Sequence, residues 1–269
     1  MAAPVRASNG NPPLLFLHAG GLDRTSWDDV VARIPGFAHA VAIDLPSVSD
    51  LGGADPGLVP RLAEHVAGRI AGLRLDRPHV VGHSLGAAVA LELACRAEVA
   101  AVTAFCTIGF HARSRTTMCG TKVRAVMGVL SALRPAVRGR VLDSPAFHRA
   151  VMSGLSARPS AIHADIAAAD VNSIVSNDVV ALTNFACHYV FAGPERLEGT
   201  PVNLVWADRD RVVPIGDARR AERVMPHARH FPILGCGHLV MRDDPDGTAA
   251  IIHACHSQLM REQERRRVR

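Results

Sequence analysis

The chain has 269 residues, of which 48% are hydrophobic and 20% are charged. This composition supplies enough apolar side chains for one large core, which excludes a mainly disordered protein. The formal net charge is +5, but residues 261–269 alone contain five arginines and two glutamates. The rest of the chain is nearly balanced in charge, so we expect no nucleic-acid partner.

The sequence shows no pattern typical of a membrane-spanning or disulfide-bonded protein. Its purely apolar stretches, such as Pro13 to Leu17, are far shorter than the roughly 20 residues that span a bilayer. Residues 1–11 are polar and do not resemble a secretion signal, so we expect a cytoplasmic protein. The six cysteines form no C-x-x-C pair, and we expect neither a disulfide framework nor a zinc site.

Short apolar or β-branched runs alternate along the chain with longer segments of helical period. Six runs predict buried strands: Leu14 to Leu17, Ala40 to Ile43, His79 to Val81, Ala101 to Ile108, Val202 to Trp206 and Arg229 to Ile233. The segments between them predict helices: Ser26 to Ile34, Leu58 to Leu73, Ala87 to Arg96, Asp217 to Met225 and Thr248 to Gln263. This alternation predicts an α/β fold in which helices cover both faces of a mostly parallel sheet.

The alternation stops between residues 111 and 200, where every apolar pattern is helical. The apolar positions are Val123, Val126, Met127 and Leu130, then Phe147, Val151 and Leu155, then Val179, Leu182, Phe185 and Val190. We therefore predict a core of residues 1–110 and 201–269, with residues 111–200 as an all-helical insertion. Because ligands of such sheets bind at the carboxyl edge of the strands, the insertion should cover the binding site as a cap.

The strongest motif is the run Gly82-His83-Ser84-Leu85-Gly86, which matches G-x-S-x-G. It directly follows a predicted strand and directly precedes a predicted helix, which is the context that this motif requires. In that position a serine occupies a strained turn and its hydroxyl projects from the edge of the sheet. We therefore predict Ser84 as a nucleophile.

A serine hydroxyl needs a base to remove its proton and a carboxylate to orient that base. Two carboxylates, Asp208 and Asp210, lie in the turn after the fifth predicted strand, and the sixth strand is followed by His238. The chain order of serine, acid and histidine is the one found in hydrolases with a nucleophile elbow. We predict His238 as the base, whereas His18 and His83 flank the site and should hold loops by hydrogen bonds.

Together these motifs resemble the α/β-hydrolase family over nearly the whole chain. The segment His18 to Gly21 is similar to the family's oxyanion segment, residues 82–86 to its nucleophile elbow, and the turns with Asp210 and His238 to its acid and histidine loops. The resemblance implies that Asp210, four residues before Pro214, is the triad acid.

The same resemblance implies the remaining parts of the site and the extent of the sheet. Asp208 would be a solvated neighbour of the acid, and the backbone N–H groups of Leu85 and Gly20 would form the oxyanion hole. Only 13 residues precede Leu14, too few for the family's opening hairpin, so we expect about six strands.

The implied function is a serine hydrolase that cleaves a carboxylic ester or a related acyl bond, such as a lactone or thioester, through an acyl-enzyme. No metal, flavin or nicotinamide is implied, because no ligand cluster or G-x-G-x-x-G loop occurs in the right context. The aliphatic insertion suggests a small-molecule substrate with an apolar acyl or alkyl part.

Two alternatives stay open at the level of the sequence. Similar chains act on carbon–carbon bonds or catalyse non-hydrolytic steps, so the fold alone does not assign the reaction. A protein of this fold could also bind a ligand in a receptor-like role with little turnover. The sequence does not indicate the oligomeric state.

Overall fold

The computed structural model describes residues 11–36, 39–111, 125–126, 128–130, 132–176 and 179–267. Residues 1–10, which belong to the polar segment that does not resemble a secretion signal, lie outside these ranges. Val123 and Met127 of the first helical pattern in the insertion also lie outside them. Within the described ranges, no helix is both long and apolar enough to cross a membrane.

One six-stranded sheet forms the centre of the molecule, and every neighbouring pair in it is parallel. The strands are β1 (Leu14–Leu17), β2 (Ala40–Ile43), β3 (His79–His83), β4 (Ala101–Phe105), β5 (Val202–Ala207) and β6 (Arg229–Ile233). Their spatial order is β2-β1-β3-β4-β5-β6. This confirms the predicted α/β architecture and the number of strands.

The order of the strands fixes where a ligand can bind. From β1 the chain passes outward to β2 and then returns to place β3 on the other side of β1, where Leu17 pairs with Gly82. The loops that leave β1 and β3 therefore diverge at their carboxyl ends. A crevice opens at such a switch point in doubly wound sheets, and the segments after Leu17 and His83 border it.

Helices cover both faces of this sheet. Among the described residues they are α1 (Asp28–Val31), α2 (Leu58–Leu73), α3 (Leu85–Ala94), α4 (Pro135–Leu142), α5 (Pro145–Leu155), α6 (Ala164–Ser176), α7 (Val179–Ala186), α8 (Gly216–Val224), α9 (Val240–Asp243) and α10 (Pro245–Arg267). Single-turn 3-10 helices occur at Arg24–Trp27, Pro159–Ala161 and Pro194–Leu197. The first predicted helix is thus a 3-10 turn followed by one α-helical turn.

The strand side chains alternate between two apolar layers, as a pleated strand requires. On one face Leu15, Leu17 and Val80 pack with residues of α2, α3 and α8. On the other face Leu14 and Phe16 pack with α1, α9 and α10. Both layers are buried, which is why the strands read as continuous apolar runs in the sequence.

The described part of the chain between β4 and β5 is helical, as the sequence predicts. It contains α4 to α7, and buried residues such as Met152 and Val171 join it to the layer formed by α1, α9 and α10. Strand β4 ends at Phe105, three residues earlier than predicted, because Cys106 turns out of the pleat with φ +47°. The exact bounds of the insertion, residues 111 and 200, stay a prediction.

Candidate active site

Ser84 lies in the sharp turn between β3 and α3, with φ +54° and ψ −111°. Side chains other than glycine rarely adopt positive φ, so this backbone is strained. Two hydrogen bonds hold it: the Ser84 N–H donates to the Phe105 carbonyl (2.9 Å), and its own carbonyl accepts from the Ala88 N–H (3.1 Å). The serine side chain is thereby presented at the carboxyl edge of β3.

The glycines on either side allow strand and helix to approach closely. A Cβ on Gly82 would lie 2.6 Å from the Ala87 Cα, and a Cβ on Gly86 would lie 2.5 Å from the Leu17 carbonyl oxygen. Both contacts are with backbone atoms, which no side-chain rotation can relieve. The motif's two glycines are therefore required by packing, and any larger residue would displace the turn that carries Ser84.

Asp210 and His238 meet in a buried hydrogen bond at the ends of β5 and β6. The His238 Nδ1–H donates to the Asp210 Oδ2 over 2.8 Å, and the Asp210 Oδ1 accepts from the N–H groups of Val212 (2.7 Å) and Val213 (2.8 Å). Burial by itself raises the pKa of the Asp210 carboxyl, but the His238 imidazole and these hydrogen bonds outweigh it and leave the pKa below its ordinary value. Asp210 is thus held as a carboxylate, and its bond to Nδ1 leaves the His238 Nε2 as the nitrogen that can take a proton.

The structure separates the two carboxylates that the sequence left as candidates. Asp208 is exposed, and its Oδ1 accepts a 3.3 Å hydrogen bond from the Cys236 N–H at the start of the turn after β6. Asp210 is buried and contacts the imidazole. Of the two, Asp210 has the geometry of an orienting carboxylate.

The two other histidines at this edge hold loops, as predicted. The His83 Nε2–H donates to the backbone carbonyl of His238 over 2.7 Å, so a residue of the elbow fixes the histidine loop. In His18, Nδ1–H donates to the Ala19 carbonyl (2.8 Å) and Nε2 accepts from the Leu45 N–H (2.9 Å). Burial is the main cause that lowers the pKa of both imidazoles, that of His83 to about 3, so both stay neutral.

The predicted oxyanion segment lies beneath the helical insertion. A Cβ on Gly20 would lie 3.3 Å from side-chain atoms of both Leu182 and Leu85, and a Cβ on Gly21 would lie 3.3 Å from the backbone of Ile174. Helices α6 and α7 therefore pack directly on the loop after β1. Ser84, Asp210 and His238 are each at most 9% exposed, so the candidate site is buried.

Cys106 is a neighbour of the site that the sequence did not single out. It is fully buried at the end of β4, and His83, Cys106 and His238 place side-chain ligand atoms within 4.8 Å of one another. Burial raises the pKa of its thiol well above the ordinary value, which keeps it protonated. One nitrogen of each imidazole in this group is already hydrogen bonded, to the His238 carbonyl and to Asp210. No sequence signal marked this place, because the predicted strand, Ala101 to Ile108, contains Cys106 and does not end beside it.

Comparison with known proteins assigns the family. A sequence model described as the alpha/beta hydrolase family matches residues 14–251. The chain is 24% identical over 263 residues to an uncharacterized protein of Mycobacterium tuberculosis, with 89% of this chain and 74% of that protein covered. It is 37% identical over 82 residues to a pimeloyl-acyl-carrier-protein methyl ester esterase of Neisseria meningitidis, which is 30% of each chain.

A solved structure agrees over a larger part of the molecule. An esterase of Rhodococcus superposes with a TM-score of 0.69 and 17% identity, and the match covers 96% of this chain and 98% of that one. At this identity the likeness concerns the fold, whereas the family assignment depends on the sequence model, which spans most of the chain. The chain belongs to the alpha/beta hydrolase family.

Proposed function

We propose that this protein is a serine hydrolase that cleaves a carboxylic ester or a related acyl bond, such as a lactone or thioester. The observation that carries the proposal is the buried hydrogen bond between Asp210 and His238, which lies at the same sheet edge as the strained Ser84 turn. A buried carboxylate that orients an imidazole beside an elbow serine is the arrangement that activates a hydroxyl for acyl transfer.

The proposed reaction begins with proton transfer. The His238 Nε2 accepts the proton of the Ser84 hydroxyl while Oγ attacks the substrate carbonyl, and Asp210 stabilises the imidazolium through Nδ1–H. The same imidazole returns the proton to the leaving alcohol, which gives an acyl-enzyme at Ser84. A water molecule, deprotonated by His238, then attacks the acyl carbon; the bond to the Ser84 Oγ breaks, His238 returns the proton to Oγ, and the acid is released.

Negative charge on the carbonyl oxygen needs donors that are in place before the reaction. We assign this role to the backbone N–H groups of Leu85, the first residue of α3, and Gly20 in the loop after β1. A donor at such a position typically contributes about 3 kcal/mol to lowering the barrier. The packing of Leu182 and Ile174 against this loop supports its preorganisation, because a covered loop has less freedom to move.

The substrate we propose is a small molecule with an apolar acyl or alkyl part, and we propose that residues 111–200 act as the cap above it. The side chains of Leu182 and Leu85 both approach Gly20, so an aliphatic surface adjoins the proposed oxyanion donors. The esterase names carried by the Neisseria relative and the Rhodococcus structure are consistent with ester hydrolysis.

The decisive experiment is intact mass after exposure to a fluorophosphonate. We expect one covalent adduct on the wild-type protein and none on Ser84→Ala, because only an activated serine attacks phosphorus. Ser153→Ala is a matched control, since that exposed hydroxyl donates to the Ala150 carbonyl of its own helix, and it should label like the wild type. Absence of an adduct on the wild type would contradict the proposal and favour a ligand-binding role.

The pH profile tests the assignment of the base. Ester hydrolysis should fall in acid, because a general base works only in its unprotonated form. The measurement is kcat/KM between pH 5 and 8 with a short-chain ester. A flat profile over that range would contradict the role of His238.

A further inference from the structure

Asp243 lies at the end of α9, five residues after His238, and its carboxylate is buried. Four donors converge on its two oxygens. Oδ1 accepts from the Ser156 hydroxyl and from the Arg158 N–H (3.1 Å), and Oδ2 accepts from the N–H groups of Ala157 (2.9 Å) and Gly237 (2.6 Å). Because each oxygen of this buried carboxylate accepts two hydrogen bonds, the position of the Asp243 side chain is firmly held.

These donors come from two separate parts of the chain. Ser156, Ala157 and Arg158 follow α5 in the insertion, whereas Gly237 directly precedes the candidate base His238. One side chain therefore joins the insertion to the backbone of the histidine loop.

The backbone on both sides of His238 also contacts the insertion directly. The Leu239 N–H donates to the Leu155 carbonyl over 3.0 Å. A Cβ on Gly237 would lie 2.8 Å from both the Ala157 nitrogen and the Leu155 carbonyl oxygen, so only glycine allows this approach. Gly237 and Leu239, the neighbours of His238 in the chain, thus both contact the end of α5.

We propose that Asp243 is a positioning residue that couples the seating of the insertion to the alignment of the catalytic histidine. This inference rests on the proposed function, because it assigns His238 the role of base. The Asp243 carboxylate holds the Gly237 N–H in place only while residues 156–158 occupy its other acceptor sites. His238 is then aligned when residues 156–158 of the insertion are in contact with Asp243. The insertion therefore helps to organise the site as well as to cover it.

A second contact between the insertion and α9 provides the control. Arg242, next to Asp243, donates through Nε and Nη2 to both oxygens of Asp170 on α6, each at 2.9 Å. Asp170 is as buried as Asp243 and also joins the insertion to α9, but among the described residues its carboxylate accepts hydrogen bonds from the Arg242 side chain and not from the backbone of the histidine loop. The two aspartates therefore separate a general effect of anchoring the insertion from a specific effect on His238.

The experiment compares Asp243→Asn with Asp170→Asn in the whole chain. The amide that replaces the Asp243 carboxylate has one acceptor oxygen in place of two, so it leaves N–H donors facing an NH2 group. We expect kcat for ester hydrolysis to fall about 100-fold with little change in KM, because a displacement of about 1 Å at a catalytic group costs about that much. Asp170→Asn should keep kcat near the wild-type value even where it lowers the melting temperature.

A spectroscopic readout makes the test independent of turnover. The Nδ1–H proton that His238 shares with Asp210 should give a low-field proton resonance, which Asp243→Asn should broaden or shift and Asp170→Asn should leave in place. An unchanged resonance and kcat in Asp243→Asn would overturn the inference. Equal losses in the two variants would also overturn it, since they would show only that the insertion must be anchored.

Two further results keep this inference separate from the proposed function. If Asp243→Asn does not fold, Ser156→Ala removes a single donor, and it should give a smaller loss in kcat and a smaller change of the same resonance; no change in either would overturn the inference. If the wild type forms no fluorophosphonate adduct, the proposed function fails, and the low-field resonance alone then decides whether Asp243 aligns His238.

Discussion

Strand β3 carries two buried histidines four positions apart, and each packs against a second imidazole. Near the amino end, the rings of His79 and His256 stack with centroids 5.4 Å apart and planes 8° from parallel. At the carboxyl end, the rings of His83 and His238 lie 4.8 Å apart and are tilted by 47°. Burial, followed by the neighbouring imidazole, lowers the pKa of both His79 and His83 to about 3.

The two pairs differ in the partners of their remaining nitrogens. At the carboxyl end, His238 donates to the buried Asp210 carboxylate, which can stabilise an imidazolium. At the amino end, the His79 Nε2 shares a hydrogen with the Thr103 hydroxyl (2.8 Å) and Nδ1 shares one with the His256 Nδ1 (3.2 Å), so neither partner supplies negative charge. A buried imidazole can thus work as a base only where a carboxylate compensates its charge.

The largest expected difference between the two pairs is in catalysis. His238→Gln should lower kcat by about 10⁶-fold, because loss of the proposed base would disable the whole proposed triad. His256→Gln removes the corresponding imidazole of the other pair and should leave kcat near the wild-type value. The measurement is hydrolysis of one short-chain ester by both variants at pH 8. Comparable losses in the two variants would contradict the division into a catalytic and a structural pair.

Replacement of Asp210, whose carboxylate distinguishes the two histidine pairs, should have the next largest effect on kcat. Asp210→Asn should lower kcat by about 10⁴-fold, because an amide cannot hold the imidazole in the required tautomer or stabilise its charge. Asp208→Asn is the matched control, since Asp208 is exposed two residues earlier and bonds only to the Cys236 N–H among the contacts described above. If Asp208→Asn has the larger effect on kcat, the assignment of the acid is wrong.

The amino-end pair should affect stability in acid, as buried His83 of the carboxyl-end pair also should. Burial lowers the pKa of His79 to about 3 and that of His256 to about 4, whereas histidines of the unfolded chain titrate near 6.5. The unfolded state therefore binds protons first as the pH falls. Each group should reduce the free energy of unfolding by up to about 1.4 kcal/mol per pH unit between pH 6.5 and its folded pKa.

Chemical denaturation at pH 7.5, 6 and 5 measures this slope. His256→Gln removes one titrating group and should give a shallower decline than the wild type, with ester hydrolysis at pH 8 unaffected. An unchanged slope would mean that His256 does not titrate differently in the folded and unfolded states.

The sequence predicted the framework of the sheet because β1, β3, β4 and β5 are buried on both faces, and turn-forming residues bound the strands. Strands β1, β2 and β6 lie where the apolar runs predict them, to the residue. The motif around Ser84 was recognisable because its chemistry is local: the turn needs glycines at 82 and 86, and strand and helix adjoin it directly. Asp210 and His238 could be proposed because each follows a predicted strand in the known order.

The remaining contacts could not be predicted because they join residues distant in sequence. Asp243 meets Ser156, which lies 87 positions earlier, and His79 meets His256, 177 positions away. Periodicity places each of these residues on a helix or strand, but it does not fix which side chains face one another after folding. The end of β4 was predicted three residues too late for a different reason. Positive φ is most common at glycine, but here it occurs at Cys106, so the sequence does not indicate the turn.

The smallest expected effect concerns the hydroxyl that anchors the amino-end pair. Thr103→Val keeps the shape of the side chain but removes the Oγ1 that contacts the His79 Nε2 and accepts from the Asn203 Nδ2 (3.3 Å). Because buried polar atoms then lose a partner, the free energy of unfolding should fall by about 1–3 kcal/mol. The measurement is equilibrium denaturation at pH 7.5.

Thr183→Val is the control for this change, because the Thr183 hydroxyl donates to the Val179 carbonyl of its own helix and its loss should lower the free energy of unfolding less. Activity at pH 8 should persist in Thr103→Val, since Thr103 lies on β4, where it pairs with Val81, and its hydroxyl contacts the amino-end pair. A loss of kcat together with stability would show that the two ends of β3 are coupled, and the separation between the structural and the catalytic histidine pair would then be wrong.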